Sequence, residues 1–410
     1  MSDQDTGAKR TEAGAGLMQY STEGMMPFGP VHPSLKEPEY FKLYLEGEKI
    51  VHVEPRIGYV HRGLERAAQE RTWVKNIYMF ERICGICSFH HSLTYTEGVE
   101  ALAPFEIPKR AKYLRELVGE LERIHSHLLW LGLLGHWAGF DTLFMWIWKD
   151  REHILDLEEA ISGNRVNKSY TTLGGVRNDL PDGLADRIRA EMAYVEKRAE
   201  YYKGLVQSEE TLIVRTKGRG RINQDIARKL CPVGPLLRCT GIARDIRAED
   251  PYAAYGEVPP QVQTSNEGDI ASLLTLRLNE ITDSCRMVKE TLEKMPSGPY
   301  RVNFPRSVPA GEASYHVEAP RGELFYFVKS AGGSVPERVK VRTSTLANIL
   351  TATEMLKGHS LADVPVVLTG MDPCFGCMDR ISVVDVDKSR EWTVGGDALR
   401  RYGIDYYRRK

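Results

Sequence analysis

Apolar residues recur every three to four positions through five long stretches of the chain: ERAAQERTWVKNIYMFERI, KRAKYLRELVGELERIHSHLLWL after Pro108, DREHILDLEEAIS, residues 184–205, and SLLTLRLNEITDSCRMVKETLEKM. That period is one face of an α-helix, so the pattern predicts a helical bundle. Ahead of it, FKLYLEGEKIVHVEP alternates apolar and polar positions, which predicts a hairpin over residues 41–53 turning at Glu46-Gly47-Glu48. Behind it, the Pro- and Gly-rich segments GEVPPQ and PRSVPAGEAS lead into strand-like runs, HVEAPRGELFYFVKS and PERVKVRT, then the helical STLANILTATEMLKG and the apolar run VPVVLTG. The expected fold class is mainly α with small β elements, an α+β chain built on a central bundle of long helices. Residues 25–380 read as one domain, preceded by a polar, Gly-rich tail over residues 1–24 that is disordered or binds a partner, and followed by a C-terminal extension over residues 381–410.

The longest apolar stretch, residues 128–148, is long enough to span a bilayer. His136 and Asp141 interrupt it, and an unpaired Asp near the bilayer centre is costly, so a core helix broken at residues 135–139 is the better reading. The N-terminus lacks the basic and apolar regions of a secretory signal, giving a cytoplasmic expectation. With 55 basic and 56 acidic residues the chain carries no electrostatic footprint for nucleic acid. It also has no G-x-G-x-x-G or G-x-x-x-x-G-K-[ST] to bind a nucleotide.

Seven cysteines stand at positions 84, 87, 231, 239, 285, 374 and 377, and four of them form two C-x-x-C pairs near opposite ends of the chain. Such turns aim four soft thiolates at a metal. Zinc ribbons keep their pairs within roughly 15 to 20 residues of each other, yet spacing alone leaves a structural zinc and a redox metal equally open. The neighbours add weight to the second: Glu81, Arg82, His90 and His91 flank one pair, and Asp372, Asp379 and Arg380 the other.

ERICGICSFHH resembles the N-terminal R-x-C-G-x-C-x-x-x-H signature of nickel-iron hydrogenase large subunits, and DPCFGCMDR their C-terminal D-P-C-x-x-C motif. GPVHP, ELERIHSHLLWLG, SGNRVN, GGVRNDLP, VGPLLRCTGIARD and EAPRGEL are similar to the energy-converting, membrane-bound branch and to the related 49-kDa subunit of respiratory complex I. Together these stretches run from about residue 27 to 380. Complex I relatives have lost the metal cysteines and use the pocket for quinone, whereas this chain keeps all four.

The resemblance implies the long-helix bundle of that family and a nickel-iron centre with CO and cyanide on iron. It makes Cys84 and Cys374 terminal nickel ligands, Cys87 and Cys377 bridging ones, and Cys374 the thiolate that takes the proton from H2. Glu37 matches the family's proton-gate glutamate, and His32 lines the pocket. Arg321 corresponds to the arginine over the open metal position, with Pro320 fixing its approach. His91 would tune a bridging sulfur, Asp372 would bond backbone amides to shape the second cysteine turn, and Asp141 is a weaker outer candidate. Arg380 stands where many relatives carry a histidine, and arginine cannot ligate a metal, so the magnesium-type site which that histidine helps form elsewhere is not expected. Residues 381–410 are either a maturation peptide cut after Arg380 or an ordinary C-terminal strand and helix.

The implied reaction is reversible, H2 to two protons and two electrons, with evolution coupled to ion translocation. Three scattered cysteines are too few for an iron-sulfur cluster held by four thiolates, so electrons need a partner. The resemblance implies a small subunit with a proximal [4Fe-4S] cluster, further Fe-S and integral membrane subunits, and attachment at the cytoplasmic face of the membrane. Rival readings are a quinone or sulfur reductase subunit, and a non-catalytic scaffold holding structural zinc.

Overall fold

The computed structural model describes residues 24–378 continuously, with short stretches at 11–12, 18–19, 384–385 and 390–391 and a helix at Gly396–Arg408. The N-terminal tail, Arg380 and the extension therefore lie wholly or mostly outside the described residues. The expected hairpin is present. Strands β1 (Met25–Phe28), β2 (Tyr40–Glu46) and β3 (Lys49–Arg56) form an antiparallel sheet in that order, with Gly47 left-handed in the β2–β3 turn. The loop between β1 and β2 carries His32 and Glu37.

The first helical stretch divides into two short helices, α1 (Leu64–Ala68) and α2 (Trp73–Glu81), because the polar QERT between them leaves no apolar face to continue. Helices α3 (Ser88–Glu100), α4 (Lys109–Trp137), α5 (Asp141–Ser162), α6 (Leu184–Ser208) and α7 (Ile270–Lys294) make the bundle. Helix α7 opens on a capping box in which Asp269 and Ser272 exchange side-chain and backbone bonds at 2.9 and 3.1 Å. The long apolar run ends α4 at Trp137, turns at Gly139 (φ 90°) and restarts as α5, close to the expected break. No helix among the described residues is long and apolar enough to cross a membrane.

Helix α4 is the axis of the fold: every residue from 113 to 132 is buried, charged ones included. Unpaired, those charges would be prohibitively costly. Arg115 reaches Glu97 and Glu100 at 2.8 Å each, Glu120 meets Arg123 and Arg247, Glu122 meets Lys168 at 2.8 Å, and His127 meets Glu280 at 2.7 Å.

The C-terminal part packs an antiparallel sheet, β4 (Val308–Ala319), β5 (Gly322–Gly333) and β6 (Arg338–Arg342), beside helices α8 (Ser344–Leu356) and α9 (Val364–Met371). VPVVLTG is thus a helix, with Pro365 in its first turn where a missing N–H costs nothing. Ala319 pairs with Gly322, which leaves Pro320-Arg321 as the two-residue tip of the β4–β5 hairpin.

Candidate metal centre

The two cysteine turns meet. All four thiols are buried, and the Sγ atoms of Cys84, Cys374 and Cys377 lie within 4.8 Å of one another. Cys87 and Cys377 form a second such group with one ring nitrogen of His91. Each turn is held by its own surroundings. Cys87 immediately precedes α3, whose amides of Phe89 and His90 donate to the Glu122 carboxylate at 2.8 and 3.0 Å, so an acid from the central helix steadies the start of α3. The second turn leans on α8: Thr343 caps that helix while its hydroxyl donates to the Cys377 carbonyl at 2.9 Å, and the Cys374 N–H donates to Thr345 Oγ1 at 3.2 Å.

Arg321 arrives from the hairpin tip. Its Nη1 is 3.7 Å from Cys84 Sγ and 3.8 Å from Cys87 Sγ, while its Nε donates to the Asp372 carbonyl at 2.8 Å. The tip can dock there because Gly234 and Gly322 pass back to back: a Cβ on Gly234 would sit 2.4 Å from Gly322 Cα. Pro320 is buried beside it.

Asp372 departs from expectation. Its carboxylate takes three cations, Arg277 at 2.6 Å, Lys36 at 3.2 Å and Arg321 at 3.2 Å, rather than backbone amides, because burial makes the strongest opposite charges its best partners. Against the burial that would raise it, these cations hold its pKa well below the usual carboxylate range. Glu37 comes from the β1–β2 loop, its Oε2 accepting the Gly376 N–H at 2.7 Å. His91 places Nε2 3.6 Å from Cys377 Sγ and Nδ1 2.8 Å from the Tyr326 hydroxyl, and burial pushes its pKa down to about 4, so the ring is neutral.

His32 shares the Glu37 loop, its ring tilted against Phe28 with the centroids 4.1 Å apart. Three other residues named from the sequence have their partners elsewhere. His90 bonds Glu122, Glu81 accepts from Ser169, and Asp141 is exposed and paired with His136 at 2.6 Å. Residues not singled out from sequence also build the centre: Lys36, Arg62, Arg277, Thr343, Thr345 and Tyr326. Arg277 did carry a signal, a charge among Leu273, Leu274, Leu278 and Ile281 on the apolar stripe of α7. Arg62, in the loop before α1, carried none.

Four buried thiols crowded this closely cannot all ionise unaided. Hydrogen bonds from Cys374, Cys377 and Cys87, with Arg321 adding charge, pull Cys84 well below the usual thiol range, whereas donation to Cys374 and Cys84 together with burial pushes Cys377 well up. An all-sulfur, dry donor set with adjacent fixed cations suits a soft transition metal.

Residues 138–308 and 302–380 match the family described as respiratory-chain NADH dehydrogenase, 49 Kd subunit, and residues 62–182 match nickel-dependent hydrogenase. The membrane-bound hydrogenase subunit alpha of Pyrococcus furiosus is 37% identical over 88% of this chain and 89% of its own length. The chain belongs to the nickel-dependent hydrogenase and respiratory 49-kDa subunit family. Within this oxidoreductase family, formate hydrogenlyase subunit 5 of Escherichia coli is 35% identical over 93% of the chain and 67% of its own length. A subunit of the F420H2 dehydrogenase of Methanosarcina mazei is 35% identical over 88% of the chain and 99% of its own. In three dimensions the chain resembles a subunit of the membrane-bound sulfane sulfur reductase, an archaeal respiratory complex, with a TM-score of 0.83 and 32% identity over 87% of this chain and 98% of that one. The mixed α+β fold with its helical core is therefore the family's, and two of these relatives, the Pyrococcus furiosus hydrogenase subunit and the sulfane sulfur reductase subunit, are by name parts of membrane-bound assemblies.

Proposed function

We propose that this chain is the catalytic subunit of a membrane-associated nickel-iron hydrogenase, interconverting H2 with two protons and two electrons. The observation that carries the reading is the convergence of four buried cysteines beneath a fixed arginine, with Glu37 bonded to the turn between Cys374 and Cys377. Cys84, Cys87, Cys374 and Cys377 hold the nickel-iron pair, with CO and cyanide on the iron. Bound there, the pair supplies a polarisable redox centre for heterolytic H2 chemistry.

The chain's own residues then do the rest. Cys374 Sγ accepts or returns the proton, and Glu37, gripping the Gly376 amide two positions on, is the carboxylate placed to exchange that proton with the outside. Arg321 keeps a positive charge beside Cys84 and Cys87, stabilising anionic sulfur. His91, oriented by Tyr326, modulates the electron density on Cys377. Electrons leave through a partner, because Cys231 is exposed while Cys239 and Cys285 are buried elsewhere and cannot supply a cluster. That partner is a small subunit with a proximal [4Fe-4S] cluster, in a complex I-like assembly that attaches the chain peripherally to the cytoplasmic side of the membrane.

Metal analysis and infrared spectroscopy of the matured complex test this. Near-stoichiometric nickel, bands from metal-bound CO and cyanide, and loss of H2 activity in Cys374→Ser are expected; zinc alone at full occupancy would overturn the proposal. Glu37→Gln should retain the metals and stop turnover. The likeness to a sulfane sulfur reductase supports a second reading, sulfur reduction at the same cysteines, and sulfide release without any H2 activity would favour it.

A further inference from the structure

Two turns from opposite ends of the chain must present their sulfurs at a set separation. Arg321 spans them from the sulfur side, and a second tie, between the backbones that carry the thiols, comes from Arg62. Its guanidinium donates from Nη1 to the Arg82 carbonyl at 2.8 Å and from Nη2 to the Ile83 carbonyl at 2.9 Å and the Gly376 carbonyl at 3.1 Å. Ile83 immediately precedes Cys84, and Gly376 immediately precedes Cys377. Slack at either carbonyl is slack at a sulfur.

The grip on Gly376 is two-sided. Arg62 takes its C=O while Glu37 Oε2 takes its N–H at 2.7 Å. A Cβ at this position would lie 2.7 Å from Glu37 Oε1, 2.9 Å from the Ile83 carbonyl oxygen and 3.4 Å from Arg62 Nη2, so the three groups close on a backbone with no side chain. Arg62 is delivered by Gly63, whose left-handed φ of 65° turns the chain from Arg62 directly into α1. A planar, permanently charged fork suits this task. It offers several N–H donors in a fixed arrangement, which a flexible lysine ammonium does not reproduce.

We propose that Arg62 is a positioning residue that sets the spacing between the two halves of the cysteine cradle before and after metal insertion. It touches no sulfur and takes no proton; it acts through the backbone of Ile83 and Gly376. The inference rests on the nickel-iron reading for its consequence in catalysis, but not for its geometry.

The test uses the full-length chain in its complex, as wild type, Arg62→Lys and Arg62→Met, purified both matured and from nickel-starved cells. In the metal-free protein, diamide accepts two protons and two electrons per disulfide formed, and peptide mapping separates the pair within a turn, Cys374–Cys377, from pairs across turns, Cys84–Cys374 and Cys84–Cys377. Arg62→Met should lower the cross-turn share severalfold and leave the within-turn yield unchanged, with Arg62→Lys between it and wild type. In matured protein, losing these charge-assisted bonds should weaken nickel retention against a chelator by about tenfold in Arg62→Met and shift the infrared bands of metal-bound CO and cyanide, again with partial rescue by lysine. The within-turn yield reports an intact second turn, and Arg62→Lys carries the same readouts if the methionine variant misfolds. Wild-type cross-turn disulfide and wild-type metal retention in both variants would overturn the proposal. Zinc in place of nickel in the wild type would instead overturn the functional reading and leave the disulfide result standing.

Discussion

Replacing Glu39 by glutamine removes a carboxyl that the fold keeps against its interest. The residue is 0% exposed, its Oε1 accepts only a 3.3 Å bond from the Tyr40 amide, and its Oε2 has no hydrogen-bond partner. Burial, with Glu37 adding negative charge and the Tyr40 amide opposing, raises its pKa from 4.5 to about 7. Between those values the folded chain binds a proton that the unfolded chain has released, so stability falls as pH rises, with the full contribution present below about 4.5 and lost above about 7. At 1.36 kcal/mol per pKa unit the change is about 3 kcal/mol. Urea unfolding at about pH 5 and about pH 8 measures it, and the loss between the two should be about 2–3 kcal/mol smaller in Glu39→Gln than in wild type. Some slope should persist in the variant, because Glu158 is likewise buried and also raised to about 7. An identical pH dependence in the two proteins would refute the argument.

Two further outcomes follow from the same packing. Arg115→Met leaves Glu100 buried and without its cation, and should cost about 3–5 kcal/mol in urea unfolding, far more than an exposed ion pair could. Gly376→Ala pushes a methyl against Glu37 and the Ile83 carbonyl, so metal content should collapse while the helical circular dichroism is kept; normal nickel in that variant would contradict the geometry.

The parts of the fold that follow local rules could be read from sequence. The hairpin around Gly47, the four long helices α4 to α7 and the break near Gly139 all declare themselves through period, turn residues and glycine, whereas α3 was not read as a helix. The cysteine pairs declare themselves too, because C-x-x-C spacing is a local signature. What could not be read is set by contacts distant in sequence. VPVVLTG has no polar side in either a strand or a helix, and only its packing decides between them. Asp372 looked like an amide acceptor because its partners Lys36, Arg277 and Arg321 come from three other segments. Arg62 was silent because its bonds run to backbone carbonyls, which every residue offers whatever its side chain.

A helix with no free side also restricts how the protein can change. Along residues 113–132 of α4 several acids and bases answer to one on another segment: Arg115 to Glu97 and Glu100, Glu122 to Lys168, His127 to Glu280. A single exchange at such a position strands its partner in a dry interior, whereas a matched exchange of both members can be nearly neutral. Libraries built one substitution at a time will therefore find this helix intolerant, and variants that survive there should arrive in pairs.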